Sequence, residues 1–317
     1  MPSLTAESTG LLAALAAALL WTGTTIFFTA AARRLGATIV NASRIALAVL
    51  VLLIVHRLTG DAWWPTLSST QLVWLMLSGL IGLSLGDQAL FRAFLDVGPR
   101  IASLLMTASP IFGAIIAWIV LGETIGPIAW LGIIITLAGI AWVVLERPKT
   151  AIGQNPPHRV RGILLGLGAA LCQSVGLLFS KMGIGHGSAA GATIAPLDAT
   201  FVRMCFALLG VSIIFGIHWR LKRGALLPRS EHGSRRAGFG FMLAGTVVGP
   251  FLGVWMSLVA VDLARIGIAQ AIMALTPIFI LPFAVLLYRE RLSSRAIFGA
   301  LLAIAGAALL LIRTSAE

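Results

Sequence analysis

Three ionisable side chains, Arg44, Asp87 and Arg203, fall deep inside long apolar runs of the sequence. A charge at the centre of a membrane helix costs about 2.5 to 3.5 kcal/mol even on insertion scales, so each of the three is read as functional. Of the chain's 11 carboxylates, Asp87 alone lies well inside a run. A carboxyl group that alternates between a dry surrounding and a nearby cation can take up and release a proton, which makes Asp87 the candidate for proton coupling. The other reading is a fixed ion pair with Arg44 or Arg92. Arg44 and Arg203 could receive a substrate carboxylate through paired hydrogen bonds, or brace Asp87. Trp21, Asn41, Gln88, Gln173, Trp255 and Gln270 are polar or aromatic residues within the same runs; as a set they suggest a moderately polar, aromatic-walled pocket.

Two prolines sit at matching places, in Ser109-Pro110-Ile111-Phe112 and Thr276-Pro277-Ile278-Phe279. Each removes a backbone N–H and displaces the carbonyl four residues earlier, at Met106 and Met273, so both helices are expected to kink at equivalent depths. Broken helices in corresponding positions are a pointer to a transporter's substrate site, which places Pro110 and Pro277 among the cavity candidates. Glu123 and Glu290 follow these prolines by thirteen residues, about 20 Å along a helix, and read as helix-end or gating residues at the membrane edge. The histidines lie in or beside loops and read as solvated, and Cys172 and Cys205 read as buried small hydrophobes; no metal or cofactor is expected.

The elements that carry these residues follow from composition. The 317 residues are 59% hydrophobic and 11% charged, with a mean hydropathy of +1.00. A soluble domain has about 25% charged residues and could not bury this much apolar surface, so the chain reads as a polytopic membrane protein. The net charge of +12 lies mostly in short loops, which fits retention of those loops in the cytoplasm and not nucleic-acid binding. Apolar runs long enough to span a bilayer lie at roughly 10–32, 37–56, 72–94, 99–121, 127–145, 161–183, 194–219, 238–260, 266–288 and 295–313.

These ten runs fall into two copies of one unit. Gly82, Gly86, Met106, Pro110, Phe112, Glu123, Gly132 and Gly139 recur 167 positions later as Gly249, Gly253, Met273, Pro277, Phe279, Glu290, Gly299 and Gly306. The expected organisation is one five-helix repeat over 10–145, a cytoplasmic linker over 146–160 and a second repeat over 161–313. Because five is odd, the second copy must cross in the opposite sense. The fold class expected is therefore an all-α integral membrane protein, with ten transmembrane helices forming two inverted five-helix repeats around a central cavity. Seventeen Lys and Arg residues on the odd-loop side against four on the other put the odd loops in the cytoplasm and both termini outside.

The paired proline helices (LLMTASPIFGAIIAW and AIMALTPIFILPFAV), the LGET and YRER that follow them and the small-residue last spans (GIIITLAGIAWVV and GALLAIAGAALLL) resemble the EamA-type transporters of the drug/metabolite transporter superfamily. The resemblance covers nearly the whole chain. It implies a ten-helix fold with a central cavity in the cell (inner) membrane, and export of amino acids or related small metabolites. Leu20-Trp21-Thr22-Gly23 departs from the Trp-Gly-Ser-like pattern of the family, and Pro250 has no counterpart in the first copy.

Three functions are weighed. A secondary active transporter would work by alternating access, driven by a proton or substrate gradient, since no phosphate-binding G-x-x-x-x-G-K-[ST] loop is present. A flippase for a lipid-linked metabolite could use the same fold. An intramembrane aspartyl protease would need a Gly-x-Gly-Asp and a facing Tyr-Asp; residue 84 is serine, and the only tyrosine, Tyr288, precedes Arg289. The partners expected are a small-molecule substrate and the bilayer. No nucleic acid or protein partner is required, and a monomer and a homodimer both remain open.

Overall fold

A computed structural model describes residues 6–59, 63–121, 126–145, 158–185, 193–221, 234–263, 269, 272–273, 275–288 and 293–314. Among them there is helix and no strand. Helix α1 runs Ala6–Leu35 and α2 Ala37–Thr59. Helix α3 (Ser69–Ser78) passes through a π-helical stretch, π1 (Gly79–Gly86), into α4 (Asp87–Leu105). A short 3-10 turn, Met106–Ala108, leads to α5 (Ser109–Leu121), and α6 spans Pro127–Leu145. Helices α7 (Arg159–Ile184) and α8 (Pro196–Leu221) precede α9 (Arg235–Thr246), a second π-helical stretch, π2 (Val247–Gly253), and α10 (Val254–Leu263). Helices α11 (Thr276–Tyr288) and α12 (Ser294–Thr314) complete the described chain.

By length and composition, six helical stretches among the described residues can cross a membrane, and Trp130–Val143 and Ile297–Gly306 are shorter apolar helices. One of the six, Ser69–Gly113, has 45 residues, twice what a bilayer needs. It is interrupted at Gly98, whose φ of 81° and ψ of 163° lie outside the helical region and suit a residue without Cβ; Pro99 then opens the next turn. The packing on α7 shows that the chain doubles back there. Leu75 meets Gly183, Gly82 meets Gly176 and Val97 meets Gly162, so the first limb runs antiparallel to α7. Leu105 then meets Gly166 and Gly113 meets Ser174, so the second limb runs parallel to it. The break separates the runs expected at 72–94 and 99–121.

The two halves interlock. The third helix of the first half (α3, π1 and α4 as far as Gly98) packs on α7, the first helix of the second half; the third helix of the second half (α9, π2, α10) packs on α1. The equivalent helices α2 and α8 pair with each other, as do α6 and α12. At the α6/α12 crossing a Cβ on Gly139 would strike the Gly299 carbonyl and the Ala303 backbone, while one on Gly306 would strike Thr136 and the Gly132 carbonyl. Low numbers face high numbers, so these equivalent helices are antiparallel, as an inverted repeat requires. Small residues allow the two backbones to touch, and close packing is the main attraction between helices in lipid.

Both π stretches fall at the same place in the repeat, 167 positions apart. Proline is not their common cause, since π2 contains Pro250 and π1 has none. Each puts glycines against the other half's first helix: a Cβ on Gly86 would lie 2.9 Å from the Cys172 Cβ, and one on Gly253 would lie 3.1 Å from the Trp21 ring. Pro250, which lacks an N–H, sits where the helix is already widened and that donor is not needed for an α-helical bond.

One histidine departs from the expected solvated reading. His56 is 6% exposed, stacks on Phe201 with 5.2 Å between ring centroids, and approaches Asp198 at 3.1 Å. Burial follows from its place in the last turn of α2, where α2 and α8 pair across the halves.

Candidate functional site

A cavity of about 140 Å³ lies between the halves. Most of its described lining comes in pairs related by the repeat: Leu90 with Ser257, Met106 with Met273, Ser109 with Thr276, and Pro110 with Pro277, each 167 positions apart. Trp21 and Gln173, and likewise Thr25 and Leu177, are matching positions of α1 and α7, 152 residues apart in each pair. Ser103, whose counterpart is Gln270, Phe94 and Thr107 complete it. The cavity therefore lies on the pseudo-two-fold axis.

Both prolines line it, through different local solutions. Pro110 cannot bond the Met106 carbonyl, and the chain tightens into the 3-10 turn so that the Ser109 N–H donates to it instead. At the equivalent Met273 carbonyl, the Thr276 hydroxyl donates at 2.9 Å. In each copy the polar group released by the proline is satisfied beside the cavity, not left bare in an apolar wall.

The wall is largely apolar, and no charged side chain lines it among the described residues. The hydroxyls of Thr25, Thr107, Ser257 and Thr276 each donate to a backbone carbonyl. Gln173, Ser103 and Ser109 also line it and make no side-chain hydrogen bond among the described residues. The Trp21 indole N–H is buried and unpartnered, and its edge is lodged at Gly253.

The charged cluster lies beside the cavity, not in its wall. Asp87 precedes Leu90 and Phe94 by three and seven residues, so it lies on the cavity-facing stripe of α4, about one turn beyond the lining. Its ion-pair partner is Arg44, not Arg92. Arg44 also donates from Nε and Nη2 to the Asn41 side-chain oxygen at 3.2 and 2.9 Å, and from Nη2 to the Leu83 carbonyl at 3.4 Å. Its guanidinium stacks over Phe91 and Phe28, 4.9 and 5.5 Å from their centroids. Asn41 donates to the Ser84 carbonyl and to Gln88, and Gln88 donates to Thr38. The π1 stretch makes this network possible, because widening the helix turns the Leu83 and Ser84 carbonyls toward α2.

Arg203, the counterpart of Arg44, does not form a matching network on π2, where Val254 replaces Asp87. It reaches into the first half instead: its Nη2 lies 3.8 Å from where a Cβ on Gly82 would stand, within electrostatic range of Asp87. It is 4% exposed and its Nε has no hydrogen-bond partner. Asp87 is thus paired with one buried arginine and lies within electrostatic range of a second.

Of the residues expected to line a cavity, Trp21, Gln173, Pro110 and Pro277 do so. Asn41, Arg44 and Gln88 belong to the Asp87 network, and Arg203 stands beside it. Trp255 stacks on Phe251 at 6.1 Å. Gln270, Glu123 and Glu290 lie outside the described residues. Leu90, Ser257, Thr25 and Leu177 escaped the sequence reading because Leu, Ser and Thr are common in membrane helices and carry no charge, amide or large ring to set them apart.

The profile of the EamA-like transporter family matches residues 8–145 and 160–312. A solved crystal structure, described only as that of a protein, superposes on 97% of this chain and 99% of its own with a TM-score of 0.62 and 19% sequence identity, a likeness that speaks for the fold alone. No curated protein matches the chain.

Proposed function

The chain belongs to the EamA-like transporter family, and from that premise we propose that it is a secondary active transporter that exports amino acids or related small metabolites by alternating access. The observation that carries this reading is the cavity on the pseudo-two-fold axis, lined by equivalent residues of both halves. In inverted-repeat transporters the two halves rock about a site near the midplane. A cavity built from matched pairs keeps similar walls as one half and then the other opens.

The same proposal takes the protein as ten spans in the cell (inner) membrane, with the odd loops cytoplasmic and both termini outside, which the distribution of Lys and Arg supports. Asp87 is the proposed coupling group. Its position one turn from the cavity, in reach of two arginines, supports a role in which filling or emptying the cavity alters the carboxylate's surroundings and hence its hold on a proton.

Uptake and counterflow in proteoliposomes, with an amino-acid panel and an imposed proton gradient, test both claims. The expected result is gradient-driven movement of at least one amino acid by the native protein and its loss in Asp87→Asn, with gradient-independent exchange retained. Full gradient-driven transport by Asp87→Asn would remove Asp87 from the coupling. Silence across the panel, with activity toward a lipid-linked sugar, would replace export with lipid flipping.

A further inference from the structure

We propose that Gln173 reads the head group of the substrate, and that this substrate is a compact, largely apolar molecule without net charge whose polar end both donates and accepts hydrogen bonds. The proposal deepens the transport reading above and rests on the same cavity.

Volume sets the first limit. About 140 Å³ is close to a cavity that admits a guest of benzene size, and because this cavity is partly open that volume bounds only the part of the substrate seated in it. Phe94, Met106, Met273 and the two prolines offer it dispersion contacts, and the thioethers of the two methionines adapt to its shape. Charge sets the second limit. With no ionised group in the described wall, a guest with a net charge would lose its hydration without a counter-ion in contact, whereas a zwitterion carries its own counter-charge and needs only hydrogen bonds from the wall.

Hydrogen bonding sets the third limit. Most lining hydroxyls already spend their single donor on backbone carbonyls, and the Trp21 N–H is turned into the packing at Gly253. The Gln173 amide has two donors and an acceptor, and the Ser103 and Ser109 hydroxyls line the same cavity. A zwitterionic amino-acid head group, or an amide or alcohol, matches that set.

The test uses the purified full-length protein, its Gln173→Leu and Gln173→Glu variants, and leucine, methionine, phenylalanine, glutamate and lysine as probes. Thermal unfolding with each probe reads binding, and proteoliposome counterflow reads transport; the ligand-free unfolding midpoint checks that each variant is folded. Leucine, methionine or phenylalanine should stabilise the native protein, and glutamate and lysine should not. Gln173→Leu should raise the half-saturating concentration about tenfold, the worth of one net hydrogen bond. Gln173→Glu should shift preference toward lysine, which a merely structural glutamine would not do. Binding of glutamate or lysine as tight as that of leucine, or half-saturation within twofold of native in both variants, would overturn the proposal. Gln173-dependent stabilisation without counterflow would uphold it and sink the transport reading. Counterflow indifferent to Gln173 would do the reverse, and silence in both measurements would sink both.

Discussion

Asp87 shows why a residue's partner decides its meaning. Its ion pair with Arg44 is dry, with the two side chains 16% and 4% exposed, and removing one partner of such a pair leaves a buried charge uncompensated. Arg44→Met is therefore expected to destabilise the protein by about 3 to 5 kcal/mol, read as a lowered unfolding midpoint. The double variant Arg44→Met with Asp87→Asn should recover much of that loss, because it removes the stranded charge. Equal destabilisation by the single and double variants would show that Arg44 acts through its stacking on Phe28 and Phe91 and not through its charge. Sequence reading singled out Asp87, Arg44 and Arg203 from their cost in an apolar run, but left Arg44 and Arg92 equal as partners. The choice is made by π1, which turns two carbonyls toward α2 and seats Arg44 there.

Glycine carries the argument at the scale of elements, and its positions are not equivalent. At the α6/α12 crossing, Gly139 and Gly306 face backbone atoms that cannot give way. Gly168 in α7 and Gly240 in α9 face open space. Gly139→Leu and Gly306→Leu should each part the two helices and cut the yield of monodisperse, folded protein several-fold in size-exclusion chromatography. Gly168→Ala and Gly240→Ala should be neutral or stabilise by up to about 1 kcal/mol, as alanine does in an unhindered helix. Four similar outcomes would mean that the crossing adjusts without cost. The repeat pointed to the last span of each half as small-residue rich; which of its glycines bear the contact was not legible, because that depends on the rotation of one helix against another.

For the molecule as a whole, interlocking follows from the way each half's third helix covers the other half's first. Neither half has a complete packing surface without its partner, and the cavity exists only where they meet. The proposed orientation belongs to this scale, because inversion ties every loop to one choice. A C-terminal reporter that works only in the cytoplasm is expected to stay silent, and the same reporter inserted in the linker near residue 150 is expected to be active. The opposite pattern would overturn the orientation and leave the repeat intact.

Sequence by itself determined the class and the plan. A chain this apolar must sit in lipid, a duplication that is gapless over residues 82–145 marks two alike units, and the residue types along them carry the EamA pattern that the family profile matches over both halves. Composition, spacing and repeat are properties of residue order, so they survive without coordinates. Tertiary structure alone decided that Trp21, Gln173 and the two prolines share one cavity, that Asn41 and Gln88 serve an ion pair instead, and that Arg203 crosses to the other half. These facts depend on the rotation, depth and close approach of helices far apart in the chain. Their cause is packing between π stretches and glycines, which no local run of residues records.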